Sequence, residues 1–95
     1  MPYISRQRRE AFRDFEKTAK ATRFDNVGEL TWGFYVLALQ YLAEHGESFR
    51  TMSEVVGAAE CSKLEFARRK LAPYEDMKRT ENGDVYEVLR TEVKP

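Results

Sequence analysis

The chain holds one cysteine, Cys61, and one histidine, His45, and their scarcity excludes several kinds of chemistry. No disulfide can form within the chain, and a Cys/His zinc site cannot be assembled from one residue of each type. No Ser–His–acid set can be argued from a single histidine. Net charge is also missing: 16 Lys+Arg balance 16 Asp+Glu. A dedicated DNA-binding domain ordinarily carries a basic excess, which this chain lacks overall. The longest apolar stretch, Leu30 to Ala43, includes Thr31 and Gln40 and is too short to span a bilayer. MPYISRQRRE has no apolar stretch after its charges, so it does not read as a secretory leader. The expected location is cytoplasmic, with no membrane partner. Gly28 and Gly57 form no phosphate-binding loop, since the Gly-rich and P-loop spacings are both absent.

What is present describes one small globular domain over residues 1–95. Hydrophobic residues make up 42% and aromatic residues 13%, which argues against disorder. A domain this small buries roughly 60–65% of its unfolded surface, so self-association is a common route to extra stability.

The periodicity predicts an all-α chain of three main helices. The first spans about Arg6 to Ala21, with Ser5 as N-cap and Phe12, Phe15 and Ala19 as a narrow apolar stripe. Arg6, Arg8 and Arg9 in its first turn oppose the helix dipole, which predicts fraying or an anionic partner. The second spans about Gly28 to Glu44, capped by Asp25 or Asn26 and ended by Gly46. Leu30, Trp32, Phe34, Tyr35, Val36, Leu37, Leu39, Tyr41 and Leu42 cover nearly its whole circumference, so it is expected to be the buried centre. Gly33 inside it suggests a close helix–helix approach. The third starts at a Thr51 or Ser53 cap, carries Met52, Val55, Val56, Ala59, Phe66 and Leu71 as its core stripe, and is kinked or restarted at Pro73. Cys61 and Leu64 lie off that stripe, and Asn82-Gly83 stops the run. The tail beyond, with Val85-Tyr86 and Val88-Leu89, reads equally as a short strand or a short helix.

The order of motifs is familiar. Met1-Pro2-Tyr3-Ile4, Gly28-Glu29-Leu30, Glu60-Cys61-Ser62-Lys63-Leu64-Glu65-Phe66, Ala72-Pro73-Tyr74-Glu75-Asp76 and Glu81-Asn82-Gly83-Asp84-Val85-Tyr86 run through most of the chain. In this the chain resembles a family of small proteins from bacteria, archaea and their phages, a domain of unknown function. It departs from that pattern at Ala67, where relatives carry an aromatic, and around Trp32. The resemblance implies a prokaryotic or phage setting; it implies no reaction, cofactor or catalytic residue.

Four constellations deserve weighing. The carboxylates Glu29, Glu60, Glu65, Glu75 and Asp76 could in principle converge on a divalent metal. Their spacing is poor, since Glu60 and Glu65 lie about 140° apart around a helix, and solvated charges are the favoured reading. The basic set Arg6, Arg8, Arg9, Arg13, Lys17, Lys20 and Arg23, with Lys63, Arg68, Arg69 and Lys70, could form an anion-binding face with Tyr3, Phe12 and Tyr74 for stacking. The favoured reading pairs them with nearby acids on the same helices. Cys61 reads as a small buried side chain rather than a reactive thiol. Tyr74, Glu75, Asp76 and Tyr86 are the best candidates for a partner-binding or self-association surface. The resulting expectation is a non-enzymatic interaction protein without metal or cofactor. It is expected to form homo-oligomers and to bind a host or phage protein. The alternative is a nucleic-acid or nucleotide binder using Arg8, Arg9 and Arg13.

Overall fold

The computed structural model describes residues 3–86, and these are all-α, with no strand among them. The elements are α1 (Arg6–Arg9), a 3-10 turn (Glu10–Phe12), α2 (Arg13–Ala21), α3 (Val27–His45), α4 (Phe49–Phe66), a π turn (Ala67–Leu71) and α5 (Ala72–Asn82). They form three helical runs, because α1 to α2 and α4 to α5 are each continuous through their turns. Contacts divide the chain into two compact units, Met1–Ala59 and Glu60–Pro95.

Local chemistry sets each boundary of the first unit. The Ser5 hydroxyl accepts from the Arg8 backbone N–H (3.1 Å) and starts α1. Asn26 starts α3: its Oδ1 accepts from the Glu29 N–H (2.9 Å), while Glu29 Oε1 accepts from the Asp25 N–H (2.9 Å). This is a capping box in which the acid reaches one residue further back than usual. It accounts for the Gly28-Glu29-Leu30 motif in structural terms. Glu29 closes the box, and a Cβ at Gly28 would stand 3.2 Å from the capping oxygen of Asn26. Gly46 ends α3 at φ 86°, a left-handed conformation that glycine adopts without strain.

The start of α4 corrects the expectation of a Thr51 or Ser53 cap. Ser48 is the cap, and Thr51 is its reciprocal partner. Ser48 Oγ accepts from the Thr51 N–H (3.1 Å), and Thr51 Oγ1 accepts from the Ser48 N–H (3.0 Å). The Thr51 hydroxyl in turn donates to the Gly46 carbonyl (2.7 Å). Thr51 is 2% exposed, the one buried residue among the described residues.

In the second unit the break falls where Pro73 was expected to cause one. Proline offers no N–H and its ring crowds the carbonyl four residues back, so a regular α-helix cannot pass through it. The chain responds by widening. The Ala72 N–H donates to the Ala67 carbonyl, five residues back, and α5 then starts with Pro73 in its first turn, where no N–H is needed. Asn82 and Gly83 (φ 91°) end α5. Asp84 Oδ1 accepts from the Tyr86 N–H (3.0 Å), a turn rather than a strand. The rest of the tail, with Val88-Leu89, lies outside the described residues.

Burial overturns the largest expectation. No apolar side chain among the described residues is buried. No apolar side chain of α3 is buried, and Met52, Val56, Phe66 and Leu71 of the expected core stripe are exposed. α3 and the first turns of α4 meet near their shared turn, where Tyr41 Oη donates to Glu54 Oε1 (2.9 Å). Gly33 faces no helix; its absent Cβ would stand 3.2 Å from the Phe24 ring, which comes from the preceding connection.

Candidate functional site

The feature that needs explaining is an apolar surface. On α3, Trp32, Phe34 and Tyr35 are 66%, 64% and 54% exposed, with Leu30, Val36, Leu37 and Leu39 also exposed. Trp32 and Tyr35 touch, with ring centroids 6.1 Å apart, and project as one aromatic pair. On the first turns of α4, Phe49, Met52 and Val56 are 89%, 46% and 69% exposed and, with Ser53, line a shallow open groove. Large apolar patches on a folded chain mark sites that another surface covers. The sequence carried the signal for α3, since a helix apolar all round has no solvent face to offer. What it did not carry was whether the cover lies in the same chain.

Beside the turn is a small polar cluster. Tyr41 Oη donates to Glu54, the Arg50 guanidinium lies 3.8 Å from Glu54 Oε2, and the His45 ring stacks on Tyr41 at 4.3 Å. The hydrogen bond to Glu54 raises the Tyr41 phenol above its usual range, since ionising the phenol would break the bond and set two negative charges together.

The candidates from the sequence fall into both units. Tyr74, Glu75, Asp76 and Tyr86 belong to Glu60–Pro95. Tyr74 and Tyr86 are exposed, and no ring contact joins them. Lys78 lies over the Tyr74 ring at 5.6 Å, Glu75 sits in the first turn of α5, and Asp76 faces Arg79 at 3.8 Å. Arg8, Arg9 and Arg13 belong to Met1–Ala59. Arg8 lies over the Phe12 ring at 5.4 Å, and Arg13 pairs with Glu10 at 2.8 Å. The Arg9 N–H bonds the Ser5 carbonyl, part of the first turn.

Most carboxylates singled out have local partners. Glu29 is held in its capping box, Glu60 pairs with Lys63 (3.1 Å), and Glu65 takes a bidentate contact from Arg68. The Glu60–Lys63 and Glu65–Arg68 pairs each sit three residues apart on one helix face. Among the described residues, no group of three or more acids, histidines or cysteines could hold a metal ion. Cys61 is half-buried on α4. No helix of the described residues is long and apolar enough to cross a membrane.

An all-helical domain with an uncovered apolar surface is the class these observations define. The chain belongs to the domain-of-unknown-function family DUF6899, whose model matches residues 1–85. No curated protein and no solved structure matches it.

Proposed function

We propose that this chain is a non-enzymatic interaction protein that acts by self-association, with the apolar surface of α3 as its binding element. One observation carries the reading: α3 is apolar around its circumference, yet its aromatic side chains stand in water. A folded chain must offset the conformational entropy lost on ordering, and burial of apolar surface is the main means of doing so. None of the described apolar side chains is buried, so a surface that covers those of α3 would add to that burial. A second copy supplies such a surface without any other component. The charge balance adds no net repulsion between copies. The motif resemblance favours a prokaryotic or phage setting and a cytoplasmic location, with a further host or phage protein as an eventual partner.

Light scattering on the eluting peak of a size-exclusion column, over a hundredfold range of loading, tests the reading. A mass above 11.1 kDa that persists on dilution is expected. A monomer throughout would overturn it. A tagged chain used as bait, with and without nuclease, tests the rival. Capture that disappears with nuclease would shift the function to the basic helix carrying Arg8, Arg9 and Arg13.

A further inference from the structure

We draw no further inference here: the strongest candidate, the apolar surface patch of α3 that carries the Trp32–Tyr35 aromatic pair, belongs to the site already described, and nothing in the structure shows what covers it.

Discussion

The turn at Gly46–Thr51 and the helix that leads into it make an instructive pair. In the turn the polar groups of Ser48 and Thr51 are paired: a glycine supplies the backbone angle, two hydroxyls cap each other, and a carbonyl is bonded by the one buried side chain. In α3 the backbone is equally regular, yet Trp32, Phe34 and Tyr35 are more than half exposed. The difference separates two kinds of completeness. Hydrogen bonding of a turn is satisfied by residues close in sequence, so it closes within one chain. Burial of an apolar helix needs a surface of matching size brought from far away in sequence or from another molecule, and no apolar side chain of α3 is buried.

The comparison can be tested at the turn. Thr51→Val keeps the shape of the side chain and removes its oxygen, leaving the Ser48 N–H and the Gly46 carbonyl without their partner. A loss of about 1–3 kcal/mol is expected, read as a lower urea midpoint at fixed protein concentration. No change would mean that the turn is not what fixes the two helices. A milder effect is expected at the other cap. Asn26→Ala removes the acceptor for the Glu29 N–H and should cost about 1 kcal/mol, with fraying of α3 visible as faster amide exchange at Glu29 and Leu30. Equal loss of protection along the whole helix would instead show that the cap is coupled to the apolar surface.

The smallest effect concerns Tyr41. Its phenol titrates above the usual value of about 10 because Glu54 accepts its proton in a hydrogen bond. A group whose affinity for protons rises on folding adds stability that is fully present below its unfolded value. That contribution disappears as pH climbs through the folded one. Stability should therefore fall slightly above about pH 10 as the Tyr41–Glu54 bond is lost. Glu54→Gln should bring the Tyr41 titration, followed by ultraviolet difference absorbance, back toward the ordinary range. An unchanged midpoint would show that the contact is absent in solution.

Much of the secondary structure was legible because helix ends are decided by neighbours. Ser5, Asn26, Gly46, Pro73 and Asn82-Gly83 each act on backbone groups within a few positions, so their meaning can be read in order along the chain. Ser48 was passed over because the usual signature of a capping box places Glu or Gln three residues on, and here Thr51 takes that role. The π turn was legible only as a break at Pro73. Whether a helix kinks, stops or widens by one residue depends on how the strain is shared between neighbouring turns.

The candidate surface divides in the same way. Tyr74, Glu75, Asp76 and Tyr86 were chosen for composition, and the structure gives several of them local roles: Lys78 over Tyr74, Arg79 beside Asp76, and the Asp84 turn at Tyr86. Trp32, Phe34 and Tyr35 were expected in the core for their apolar character, and the structure leaves them more than half exposed.

The sequence by itself determined that the chain is helical, where most of its helices start and stop, and that α3 has no polar face. These follow from backbone hydrogen bonding and side-chain periodicity, which act over a few residues. Only the tertiary structure decided that the aromatic side chains of α3 and the apolar side chains in the first turns of α4 are exposed. That outcome depends on contacts between residues far apart in sequence, which local periodicity does not specify.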